Sequence, residues 1–121
     1  MTDSGKIDHE SLNWTDEIDN HIKYKQLISY LSHGPDISVT LVEIDGEHLE
    51  LKSDASSRVY VILDGHFTFH VPDGTFLAKK DDVILIKRGD IYSFSGRGKY
   101  LVINGPAFRS GDDFYSDRVK R

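Results

Sequence analysis

The 121-residue sequence predicts an all-β domain. Three observations carry that expectation. Short apolar runs recur from Ile37 onward at about 8–12-residue intervals, the spacing of a sandwich or barrel. Turn chemistry separates them: Asp45-Gly46, Asp64-Gly65, Pro72-Asp73-Gly74, Arg88-Gly89-Asp90, Gly96-Arg97-Gly98 and Asn104-Gly105-Pro106. The intervals leave no room for crossover helices, so the pairing has to be largely antiparallel.

In chain order the predicted strands are Ser38–Ile44, His48–Lys52, Arg58–Leu63, His66–Val71, Gly74–Ala78, Val83–Lys87, Ile91–Phe94 and Lys99–Asn104. Asp-Gly steps supply the positive φ angles of tight hairpins, so each is expected to reverse the chain. Two readings of the first 36 residues stand side by side. Tyr24, Leu27, Ile28 and Leu31 have helical spacing, yet the run is short enough to pair as an outer strand. Residues 10–18 fit a helical turn capped by Ser11 or Thr15, with Trp14 packing down. The expected organisation is an N-terminal extension over residues 1–36, a barrel over 37–107 and a polar tail over 108–121.

Composition narrows the function classes. Apolar residues make up 38% and charged residues 29%, the balance of a globular chain with one core. The longest apolar run, Val59-Tyr60-Val61-Ile62-Leu63, is far below the ~18 residues of a membrane span. The absence of cysteine excludes disulfides, thiolate metal sites and a cysteine nucleophile. The first residues lack the basic and apolar regions of a signal peptide, so a cytoplasmic location is expected. A net charge of −5 and scattered basic residues argue against nucleic acid as a partner. Arg118, Lys120 and Arg121 cluster only in the tail, beside Asp112, Asp113 and Asp117, and read as solvated.

The stretch from Gly46 to Pro106 resembles the cupin superfamily of small jelly-roll (double-stranded β-helix) barrels. Ser57-Arg58-Val59-Tyr60-Val61-Ile62-Leu63-Asp64-Gly65 is similar to the family's first strand and turn. Lys80-Asp81-Asp82-Val83-Ile84-Leu85-Ile86-Lys87-Arg88-Gly89-Asp90-Ile91-Tyr92 is similar to its second element, and Val102–Pro106 to its exit strand. The resemblance implies a cupin barrel and, in most catalytic members, a divalent metal on two histidines, a glutamate and a third histidine. Lys52, Asp54, Arg58 and Tyr92 stand at those four positions. Two of them would repel a cation, so no metal and no cofactor is expected.

The other histidines offer no substitute. His66 and His70 share one strand face but lie ~13 Å apart, too far to share an ion. His48 stands alone in its strand, and His9, His21 and His33 fall in the N-terminal region. Asp81-Asp82 reads as a solvated corner, and the aromatic residues between Phe67 and Tyr100 as core packing.

Strand parity places Arg58, Tyr60 and Ile62 on one face and Val59, Val61 and Leu63 on the other. If Arg58 points inward, so does Tyr60. The expected ligand-binding residues are therefore Lys52, Asp54, Arg58 and Tyr60, with Tyr92 as a catalytic acid or base. Two readings remain open: a metal-free site for a small polar or anionic molecule, or an ion pair of Asp54 with Arg58 or Lys52 that fills the volume. The first extends to an isomerase, epimerase or lyase acting on a carbohydrate or small carbonyl acid. A non-catalytic structural dimer is the alternative. A homodimer is expected in any case, with the Val59/Val61/Leu63 face covered by a partner or by the N-terminal segment.

Overall fold

A computed structural model describes residues 4–16 and 21–115. The strands are β1 (Thr15–Asp16), β2 (Ile22–Ile28), β3 (Ser38–Ser53), β4 (Ser57–Val71), β5 (Gly74–Lys79), β6 (Val83–Ile86), β7 (Tyr92–Gly105) and β8 (Asp113–Tyr115). Every strand pairing among the described residues is antiparallel. The order β1-β2-β3-β7-β4-β5 runs across the sheet, with β6 also on β4 and β8 also on β3. The all-β expectation holds.

Three expected turns are not turns. Asp45-Gly46, Asp64-Gly65 and Gly96-Arg97-Gly98 lie inside β3, β4 and β7, which continue through them for 16, 15 and 14 residues. The glycines face one another across the sheet, Gly46 opposite Gly96 and Gly65 opposite Gly98. Their positive φ angles accommodate close backbone approach rather than chain reversal. A Cβ on Gly65, where φ is +89°, would stand 1.9 Å from the Arg97 carbonyl oxygen. Pro72-Asp73 does close a hairpin, with Val71 opposite Gly74.

A register shift between Ile62 and Asp64 inserts a bulge into β4. Before it Arg58, Tyr60 and Ile62 are buried; beyond it the parity switches and Phe67 and Phe69 turn inward. The bulge thus keeps one face of a long strand on the core through both halves of the barrel. Around Phe94 the core is aromatic: Phe69 stacks on it at 4.6 Å, while Tyr60 and Tyr100 approach edge-on at 5.2 and 5.5 Å. Each such ring, fully buried, contributes roughly 1.5–3 kcal/mol, with further stabilisation from edge and offset geometry.

The strand reading of the N-terminal region prevails over the helical one. Tyr24 and Leu27 belong to β2, paired with β3, and only Tyr30–His33 forms a helical turn, α1, capped by Ser29. Upstream, a 3-10 turn over His9–Ser11 is capped by Asp8 rather than by Ser11 or Thr15. Trp14 then lies under the ammonium groups of Lys23 and Lys25, at 5.4 and 4.9 Å from its ring centroid. Arg118, Lys120 and Arg121 lie outside the described residues.

Candidate active site

Arg58 is the centre of the site. It follows Ser57 at the start of β4, and the strand's alternation turns its side chain inward, where it is 5% exposed. Its Nη2 donates to Asp113 Oδ1 at 2.7 Å, and its Nη1 donates to Asp113 Oδ2 at 3.4 Å and to Tyr92 Oη at 2.9 Å. The Tyr92 hydroxyl is in turn hydrogen-bonded to that of Tyr60 at 2.5 Å. Carboxylate, guanidinium and two phenols therefore form one buried polar chain in an aromatic barrel.

Electrostatics fix the protonation of this chain. Burial would pull the Arg58 guanidinium down, but Tyr60, Tyr92 and Asp113 more than offset it and hold its pKa above the ordinary arginine value. Burial pushes both phenols up, Tyr60 strongly, against the lowering effect of Arg58. Both tyrosines are therefore neutral at pH 7 and available as proton donors.

His48 joins the cluster from β3. It is half-buried, opposite Phe94 in the ladder, and its ring stacks on Phe94 at 4.6 Å. Its Nδ1 lies 3.0 Å from the Leu49 carbonyl oxygen, so Nδ1 carries the proton and Nε2 keeps a lone pair. Burial, reinforced by the charge of Arg58 and opposed by the Leu49 carbonyl and Asp113, pulls its pKa down to about 4. At neutral pH this imidazole is uncharged and basic at Nε2.

The expected quartet is divided by the structure. Arg58, Tyr60 and Tyr92 come together, whereas Lys52 and Asp54 pair with each other 3.3 Å apart, with side chains 38% and 55% exposed. The buried ion pair expected for Asp54 belongs instead to Asp113. Asp54 falls in the bend after β3 ends at Ser53, and Lys52 points outward over the Phe114 ring, 5.9 Å from its centroid. Asp113 carries no local signal, because β8 joins β3 through Leu51–Ser53 some 60 residues away in sequence from its partners. His48, alone in its predicted strand, gives no sequence signal of a site, and a register shift between His48 and Leu51 hides its direction from strand parity. Two surface hollows, of about 660 and 450 Å³, are lined by other residues, including Lys23, Glu43 and Arg97 in one and His66, Thr68 and Lys79 in the other.

Solved structures of similar fold match most of the chain. The fold is that of the cupins. A structure of Streptomyces PAC13 with uridine is 17% identical, with a TM-score of 0.79 over 95% of this chain and 92% of that one. KdgF from Halomonas sp. is 12% identical, with a TM-score of 0.77 over 89% and 97% of the two chains. The Schizosaccharomyces pombe Cnp3 cupin domain is 23% identical, with a TM-score of 0.67 over 80% and 70%. Another structure of Pac13 describes it as a nucleoside dehydratase, and its uridine complexes include tyrosine-to-phenylalanine and histidine-to-glutamine variants. No family model matches the sequence, and no curated protein matches it.

The donor set does not fit the divalent ion that many cupins hold. The position of the family glutamate carries a guanidinium, that of the last histidine a protonated phenol, and those of the first two histidines an exposed Lys52–Asp54 pair. Among the described residues no three histidines or carboxylates converge. No chemical step is assigned to a metal.

Proposed function

We propose that this cupin is a metal-independent lyase that binds a small polar or anionic molecule between Arg58, Tyr60, Tyr92 and His48 and removes water from it. The observation that carries the reading is a buried, protonated tyrosine in contact with a fixed cation, with a neutral histidine stacked on the same Phe94 ring that Tyr92 faces. An elimination needs a base for a carbon-bound proton and an acid for the departing hydroxyl. His48 Nε2 takes the proton from carbon next to a carbonyl. The carbon–oxygen bond on the adjacent carbon breaks, and the leaving oxygen takes the Tyr92 proton and departs as water. A carbon–carbon double bond remains. The Tyr92 phenolate so formed is stabilised by Arg58 Nη1 and by a hydrogen bond from Tyr60, until the proton on His48 returns through solvent. Support comes from the residue types: the uridine-bound Pac13 variants replace tyrosines and a histidine.

A second copy of the chain completes the proposed assembly. The aliphatic rows Leu85–Val59–Ile103–Val39 and Val83–Val61–Leu101–Leu41 run side by side across β6, β4, β7 and β3. Val83 is 65% and Leu85 60% exposed, and Trp14 of the N-terminal segment is engaged over β2 instead. Asp81-Asp82 precede β6 and Lys87-Arg88 follow it, so an antiparallel partner brings acid against base at both ends.

Turnover decides the enzymatic reading. A panel of nucleosides, sugar acids and hydroxy-carbonyl compounds is screened for appearance of the conjugated product. With an active substrate, Tyr92→Phe and His48→Gln each lower kcat by roughly 10²–10⁴-fold with the fold intact, and chelator has no effect. Wild-type turnover in either variant overturns the assignment.

A further inference from the structure

We propose that Asp113 holds the place of a ligand carboxylate, and that a small hydroxy-carboxylate enters the site by displacing strand β8 from Arg58. The inference rests on the site read above, and it adds the class of ligand and the way in.

Arg58 presents two parallel donors, the geometry that matches a carboxylate. The carboxylate that fills it belongs to a strand of three residues, which among the described residues pairs with Leu51, Lys52 and Ser53 of β3. Asp113 lies on the solvent side of the pair, its side chain 13% exposed against 5% for Arg58. The next residue, Phe114, is 53% exposed, so its ring does not anchor the strand in the core. Among the contacts described, β8 is thus the least secured element that touches the polar chain, and an entering molecule meets Asp113 first.

Charge selects what replaces it. A neutral molecule that displaced Asp113 would leave the guanidinium without its counter-charge, and a dianion would bring an excess. A monocarboxylate exchanges like for like. Arg58 Nη1 touches both Asp113 Oδ2 and Tyr92 Oη, so a carboxylate in that place brings the hydroxyl-bearing part of the ligand beside Tyr92. The Arg58 Nε, which has no partner among the described residues, is also buried there, and it offers one more hydrogen bond to an incoming oxygen.

The test titrates the full chain with a matched set: glycerate, glycerol and glycerol 3-phosphate. The wild type binds glycerate in preference to the other two. Asp113→Asn binds glycerate about tenfold more tightly, because the competing carboxylate is gone, and Arg58→Lys loses it. Saturating glycerate speeds amide hydrogen exchange in β8 and at Leu51–Ser53 of the wild type, a measurement that stands if Asp113→Asn does not fold. Unchanged or weaker binding by folded Asp113→Asn, equal binding of glycerol or glycerol 3-phosphate, or unchanged or slower exchange in β8 overturns the proposal. None of these readouts requires turnover. An inactive but glycerate-binding protein would refute the lyase reading and leave this one standing.

Discussion

Arg58 and Asp113, 55 residues apart in sequence, share two side-chain hydrogen bonds in the barrel, the shorter of 2.7 Å. Their pairing makes a buried cation tolerable. Removing only the acid exposes the cost. Asp113→Ala is expected to destabilise the fold by about 3–5 kcal/mol, since it leaves Arg58 with a phenol as its protein partner. For a chain of this size the melting temperature falls by 10 °C or more, roughly. The double replacement Arg58→Met/Asp113→Leu recovers most of that loss. A melting temperature unchanged in Asp113→Ala would show that the pair is not held in solution.

His48 makes stability pH-dependent. Its folded pKa of about 4 lies below the ordinary histidine value of 6.5, so the unfolded chain binds its proton more readily. The stabilisation is complete above pH 6.5, declines as pH falls through that value toward 4, and levels off below. Over this window His48 accounts for a loss of about 2–3 kcal/mol. Chemical denaturation at pH 7.5 and pH 4.5 measures it, and His48→Gln flattens the difference. An equal slope in the variant would place the titration elsewhere.

The crossing of β4 and β7 has no room for a side chain. Gly65→Ala places a methyl group 1.9 Å from the Arg97 carbonyl oxygen at a φ of +89°. The expected cost is more than about 2 kcal/mol, with soluble yield falling in parallel. Gly74→Ala, which meets nothing within 4 Å although its φ is +147°, costs less. Equal melting temperatures for the two variants would remove the crowding argument.

The outer face of β6 carries the proposed contact between copies. Light scattering at tens of micromolar is expected to give twice the chain mass for the wild type and the single-chain mass for Leu85→Lys. The variant should keep its melting transition cooperative, because Leu85 is 60% exposed within one chain. A monomeric wild type refutes the dimer.

Much of this fold was legible because the code for it is local. The inward alternation of Arg58, Tyr60 and Ile62, and the hairpin at Pro72-Asp73, follow from neighbours in sequence. The Asp-Gly steps misled for an equally physical reason: positive φ serves a tight reversal and a close strand crossing alike, and only the partner strand decides between them. The site was half legible. Arg58, Tyr60 and Tyr92 were found because a family pattern and strand parity place them, whereas Lys52 and Asp54 follow a bulge that shifts their direction outward. Asp113 belongs to a short strand whose partner is chosen by tertiary contact, and no periodicity announces it.

The three long strands divide the chain into places that can be interrupted and places that cannot. At Asp45-Gly46, Asp64-Gly65 and Gly96–Gly98, where loops would be drawn from sequence, a nick or inserted peptide would cut a strand that serves both ends of the barrel. The genuine seams are the Pro72-Asp73 hairpin and the turn around Gly89, where the backbone reverses between elements. New termini or a fused reporter domain belong at Pro72-Asp73, remote in sequence from the Arg58 end of β4, and not at the glycine pairs whose composition advertises a hinge.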